Sequence, residues 1–138
     1  MQNLSGLDVY DLVVRLPKTL SQESTVAQAA AALDDHHVHM LLITDEDGRL
    51  LGAIERSDLS GIDLTSAAPA LGLAALRERT IAPEMPAEEA LRLLLRRGER
   101  RRAVVDEDGR LLGLLCLKRR QNGFCSDRAV HERASSGR

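Results

Sequence analysis

Apolar and polar positions come in short bursts along this chain, and the bursts follow the same order twice. Residues 41–44 form an apolar run closed by Asp45, an Asp-Gly pair follows at 47–48, and a second apolar run fills residues 50–54. Two such runs joined by an acidic turn containing Gly predict a β-hairpin, because Gly accepts the positive φ that tight turns need. The same order recurs at residues 103–105, Asp108-Gly109 and 111–117. Upstream of each hairpin the spacing becomes helical. Thr25 and Gln28 have capping-box spacing, and Ala29, Ala30 and Leu33 fall on one face. In the second stretch Pro86 with Glu88 and Glu89 marks a helix start, and Ala90, Leu91, Leu94 and Leu95 make the apolar stripe. A short extended piece precedes each helix, at residues 18–21 and 79–82, and a polar stretch able to begin another helix follows each hairpin. The predicted unit is strand, helix, strand, strand, helix: an α/β module used twice.

At the centre of this order lies literal repetition. The octapeptide Asp-Glu-Asp-Gly-Arg-Leu-Leu-Gly occupies residues 45–52 and again 106–113, 61 positions apart. Eight identities in one register in a chain of 138 residues exclude coincidence and set the alignment of the two copies. That register pairs Thr19 with Thr80, Leu20 with Ile81, Ala29 with Ala90 and Leu33 with Leu94, so the match covers residues 19–59 against 80–120. A unit of about 40 residues is too small to bury an adequate core alone, so the copies are expected to pack on each other. The chain divides into a lead-in helix within residues 1–17, a first repeat at 18–70, a second at 71–122, and a tail at 123–138 in which Ser126 or Asp127 caps a short helix.

Composition narrows the function. Apolar residues make up 43% of the chain but Phe, Trp and Tyr only 1%, with Tyr10 and Phe124 the two present. The core must therefore be aliphatic, and there is no platform for stacking bases, which weighs against single-stranded nucleic acid. A net charge of −2 gives no general attraction to polyanions. Without an 18-residue apolar window or a basic-then-hydrophobic start, the chain is expected to be cytoplasmic, with no membrane partner. Cys116 and Cys125 match no disulfide framework, CxxC or zinc-ribbon spacing and are expected to be thiols in a reducing compartment. An exposed Phe124 would be costly, so it is expected to pack on the module or on a partner.

The helix leading to an apolar run ending in Asp, the acidic Gly turn, Leu-Leu-Gly, a hydrophobic strand and Arg-Ser-Asp-Leu at 56–59 resemble the CBS domain, the unit named after cystathionine β-synthase. Residues 8–12 and Thr19-Leu-Ser also resemble that family's lead-in, and the likeness extends over about residues 8–120. It implies tandem CBS repeats packed with pseudo-twofold symmetry as a Bateman module, a regulatory rather than catalytic role, and an adenine nucleotide or related ligand in clefts between the repeats. No cofactor is implied beyond that ligand. The output would pass through a partner protein.

The resemblance also nominates residues. The family's nucleotide signature places Ser or Thr three residues after the hairpin glycine, for phosphate, and Asp six residues after it, for the two ribose hydroxyls. Counting from Gly52, these positions hold Glu55 and Asp58; counting from Gly113, they hold Cys116 and Arg119. Asp58 fits the ribose role, whereas a carboxylate at Glu55 opposes a phosphate, with Ser57 and Arg56 beside it as compensation. Arg119 inverts the charge of the second position, so that cleft is not expected to hold a nucleotide in the family manner, although Arg119 can meet a phosphate arriving from the other side. The ligand-binding set implied is Asp58, Ser57, Arg56, Leu20, Met40, Ile81, Arg101, Arg102 and Arg119. A second role is open to Asp58 and Ser57, the capping of a helix start. Arg96, Arg97, Arg100, Arg101 and Arg102, with Lys118, Arg119 and Arg120, form either a phosphate-binding wall or a solvated helix end. DNA binding through this stretch would be steeply salt-dependent.

Charge separates the copies. Residues 19–59 carry −6 and residues 80–120 carry +3. Opposite charge on equivalent units suits a head-to-tail homodimer. His36, His37 and His39 cluster in sequence, but on a helix end running into a strand their rings diverge, and no metal site is expected. No Ser-His-Asp order, Walker-type loop or paired-carboxylate motif stands out, so the chain is not expected to be an enzyme. The rival expectation is a structural or interaction protein with degenerate clefts that acts through its dimer surface.

Overall fold

The computed structural model describes residues 3–15, 17–121 and 123–125. The elements run α1 (Val9–Leu12), β1 (Thr19–Ser21), α2 (Val26–Leu33), β2 (Met40–Thr44), β3 (Leu50–Glu55), β4 (Thr80–Ile81), α3 (Ala87–Arg97), β5 (Arg101–Val105) and β6 (Leu111–Cys116). Single 3-10 turns lie at Arg56–Leu59 and Ala70–Leu73. They build two three-stranded sheets of the same design, β1-β2-β3 and β4-β5-β6, each with one parallel and one antiparallel pairing. Even the strand irregularity recurs, between Ile43 and Thr44 and between Val104 and Val105.

Local chemistry accounts for the elements. The Thr25 hydroxyl accepts from Gln28 N–H at 3.2 Å and the Gln28 side chain accepts from Thr25 N–H at 2.8 Å, which is the capping box expected for α2. α3 starts after Pro86 with Glu88 and Glu89 in its first turn, and it ends at Gly98 in a left-handed conformation, φ +66°. In each hairpin the first Asp of the octapeptide holds the turn. Asp45 Oδ1 accepts from Asp47 and Arg49 N–H, and Asp106 Oδ1 from Asp108 and Arg110 N–H. The two turns then meet. Leu50 N–H donates to Gly109 O and Leu111 N–H to Gly48 O, each at 2.9 Å, across the pseudo-twofold.

Strand alternation makes three layers of core. Along β2, Leu41 and Ile43 face α2 while Met40 and Leu42 face the sister sheet, where Leu50, Ala53 and Ala103 join them in a shared core. A sheet buried on both faces reads as a continuous apolar run, as β2 does. Phe124 is buried in the core of the second repeat, as its cost when exposed requires.

The lead-ins cross over. Residues 8–14 pair with the second repeat, through Asp8–Pro86 and Val14–Leu114, while residues 69–75 pair with the first, through Pro69–Thr25 and Ala75–Ala53. These contacts are equivalent at the repeat offset although little sequence identity survives there. The octapeptide's last glycine lies beneath each crossing. A Cβ at Gly52 would stand 2.5 Å from the Ala74 Cβ, and one at Gly113 would run into the Val14 carbonyl and the Val13 side chain.

Three predicted helices fall short of what their sequence suggests. The lead-in is a single turn, α1, and after the hairpins there is one 3-10 turn in the first repeat and no helix in the described part of the second. After the 3-10 turn the chain reaches Gly61 at φ +75°, and after β6 Leu117 pairs with Phe124 instead of coiling. The tail helix expected at Ser126 or Asp127 lies outside the described residues.

Candidate functional site at the repeat junction

Where β3 ends, the chain turns through Arg56–Leu59 and carries Glu55 and Asp58 to the junction with the second repeat. Asp58 caps this turn, since its Oδ2 accepts from Glu55 N–H at 2.8 Å. The same carboxylate meets a residue that sequence reasoning had not nominated. Arg79, fixed beside β5 because its carbonyl accepts from Ala103 N–H, points back into the first repeat. One of its terminal nitrogens donates to Asp58 Oδ2 at 2.6 Å and to Ala53 O at 2.7 Å, and the other donates to Asp58 Oδ1 at 3.0 Å. Its Nε lies 3.4 Å from Glu55 Oε1. The Arg79 and Asp58 side chains are only 17% and 22% exposed, so the pair is substantially sheltered from water. Burial works against the Asp58 charge, but hydrogen bonds from Arg79 and from Glu55 N–H, with the Arg79 charge, hold its carboxyl below the ordinary carboxylate range. Hydrogen bonding to Asp58 in turn raises Arg79 above the ordinary arginine value, against desolvation.

One sequence signal pointed to Arg79. At the repeat offset it replaces Lys18, so a cation opens the extended piece before each helix.

The other nominated residues separate. Arg56 donates to the carbonyls of Leu33 (3.0 Å), Asp35 (2.9 Å) and Val38 (2.6 Å), closing the turn between α2 and β2. Ser57 is exposed, Leu20 packs half-buried against the first core, Met40 belongs to the shared core and Ile81 to the second core. Alternation along β5 divides the arginines. Arg102 takes the helix-side place that Leu41 has in the first repeat and is 7% exposed, donating to Thr80 O and to Glu99 with its Nε left without a partner. Arg101 takes the opposite face and stands across from Cys116. Arg119 is exposed beyond β6. Arg97 joins Glu78 and Glu99 at the surface.

His36 and His37 form a tilted ring pair with centroids 5.3 Å apart, and His39 Nδ1 lies 3.4 Å from Arg56. Among the described residues no three His, Cys, Asp or Glu side chains converge as a metal site.

A CBS domain family model matches residues 9–63 and 77–119. No curated protein matches the sequence. Among solved structures, CBSX2 in complex with AMP is similar at 24% identity and TM-score 0.71, over 96% of this chain and 100% of that one. The cytosolic domain of the Mg2+ channel MgtE in complex with ATP is 22% identical at TM-score 0.67, and protein MJ1004 of Methanocaldococcus jannaschii 21% identical at the same score. Each matches 80% of this chain, which spans only 46% of the MgtE domain and 55% of MJ1004. At these identities the likeness is one of fold. Two family matches in tandem, on two sheets of one design joined by crossed lead-ins, place this chain in the CBS domain family as a pair of repeats.

Proposed function

We propose that this chain is a non-catalytic, ligand-sensing regulatory module that takes an adenine nucleotide at the junction of its repeats, with Asp58 as the ribose acceptor. The observation that carries this reading is the Asp58 carboxylate, held at the junction with both oxygens engaged by one guanidinium. A ribose diol presents two donors much as the guanidinium does, so nucleotide binding exchanges Arg79 for ribose on Asp58. Released from Asp58, Arg79 remains beside Glu55 as a cation for the phosphate and offsets the carboxylate that replaces the family's hydroxyl. Adenine nucleotides in the similar CBSX2 and MgtE structures support this ligand class. Because Arg79 belongs to the second repeat and Asp58 to the first, the exchange couples occupancy to repeat packing, which a partner protein can read. No helix among the described residues is long and apolar enough to cross a membrane.

The test is a thermal-shift series with AMP, ADP, ATP and adenosine on wild type, Asp58→Ala and Arg79→Ala. A nucleotide is expected to stabilise wild type and not Asp58→Ala. Adenosine is expected to gain on Arg79→Ala, where ribose need not displace a guanidinium, while AMP loses its phosphate partner. Flat responses from all three proteins would support the rival reading, favoured by Glu55 and Arg119 at positions where the family's signature has a hydroxyl and an Asp: a structural module with degenerate clefts that works through a dimer surface.

A further inference from the structure

In the second repeat the residue equivalent to Glu55 is Cys116, the last residue of β6. Beyond it the chain turns back antiparallel to itself. Leu117 pairs with Phe124, Lys118 N–H donates to Gly123 O at 2.9 Å, and Cys125 N–H donates to Cys116 O at 2.6 Å. This register sets the two cysteines side by side with their sulfurs 2.6 Å apart. Both are 5% exposed and share an apolar enclosure with Val14 and Leu114. Arg101 stands opposite Cys116 in the strand pairing. Apolar burial opposes the thiolate, which is the reactive form, and a guanidinium in this position supplies the counter-charge that favours it.

We propose that Cys116 and Cys125 are a reversible redox pair that responds to hydrogen peroxide. One thiolate attacks a peroxide oxygen, the O–O bond breaks, and the sulfur becomes a sulfenic acid as water leaves. The second thiol attacks that sulfur, the S–O bond breaks, and a second water leaves as the disulfide forms. Two thiols and one peroxide thus give one disulfide and two waters, with sulfur oxidised and peroxide oxygen reduced. A dithiol reductant reverses the step by exchange. The disulfide closes a ring over residues 116–125, which include Lys118, Arg119 and Arg120, so oxidation restrains this cationic turn.

The reduced full chain is treated with hydrogen peroxide, alkylated under denaturing conditions and mapped by peptide mass. The expected product is a monomer that has lost two hydrogens, with residues 116 and 125 joined, and dithiothreitol restores both alkylation sites. Its unfolding temperature rises by several degrees, and Cys116→Ser and Cys125→Ser each abolish that rise. Arg101→Met, which installs the residue found at the equivalent place in the first repeat, is expected to slow oxidation several-fold while leaving the disulfide able to form. Full alkylation of both cysteines after peroxide, a disulfide only between chains, or oxidation past sulfenic acid would overturn the proposal. The wild-type mass measurement decides the matter even if a variant does not fold.

Discussion

Asp58 accepts three hydrogen bonds, two from Arg79 and one from a backbone N–H, in a place largely closed to water. Removing Arg79 leaves that carboxylate charged and sheltered, so Arg79→Ala is expected to cost about 1–3 kcal/mol in urea unfolding. The pH dependence follows from the depressed carboxyl of Asp58. Its contribution is full above the ordinary Asp range near pH 4 and disappears as pH falls through the lower folded value. The stability gap between wild type and Asp58→Asn should therefore be widest at neutral pH and close in acid. Arg102 behaves differently, because it is a buried cation where the first repeat has Leu41. Arg102→Leu is expected to be neutral or stabilising, since it removes an imperfectly paired charge and leaves Glu99 its bond from Arg97. Glu99→Ala is expected to destabilise by about 1.5–3 kcal/mol by leaving Arg102 only its bond to the Thr80 carbonyl, and a loss for Glu99→Ala with none for Arg102→Leu in parallel denaturant curves would establish the point.

Among the elements, the crossed lead-ins carry the most consequence. Each lies against the opposite repeat, and each crosses the last glycine of an octapeptide. Gly113→Ala is expected to cost more than Gly52→Ala, because the added methyl meets the backbone carbonyl of Val14 in one case and the side chain of Ala74 in the other. Overpacking of this kind costs about 1–3 kcal/mol, readable as a drop in thermal midpoint with Gly113→Ala the lower of the two. The identity of the octapeptide thus has three causes, two within the turn and one from the crossing chain. Its first Asp holds the turn, Gly48 and Gly109 supply φ of +81° and +83°, and its last Gly makes room for the crossing chain. Turn chemistry of this kind involves residues two to four apart and is legible in sequence, as the Thr25–Gln28 capping box was. The crossing is not legible, because it brings residue 14 against residue 114 and residue 53 against residue 75.

For the whole molecule, the charge difference between residues 19–59 and 80–120 suits either a head-to-tail homodimer, in which the acidic repeat of one chain meets the basic repeat of the next, or mutual compensation within one chain. Native mass spectrometry across a salt series is expected to show the dimer weakening as salt rises, and a dimer indifferent to salt would remove the electrostatic basis. The register of the repeat, the aliphatic strands, the helix starts and the family resemblance were all determined by the sequence itself, because each depends on period, turn residues or caps within one stretch of chain. Tertiary structure alone decided which partner each charged or thiol side chain meets. Asp58 lies 21 residues from Arg79, and Arg102 is separated from Arg101 by the width of a sheet although adjacent in sequence. Cys116 finds Cys125 only because the chain reverses between them. The physical reason is the same in each case: periodicity and turn chemistry are properties of neighbours, whereas pairing across a fold depends on where the chain returns, and the octapeptides mark only the register from which those returns begin.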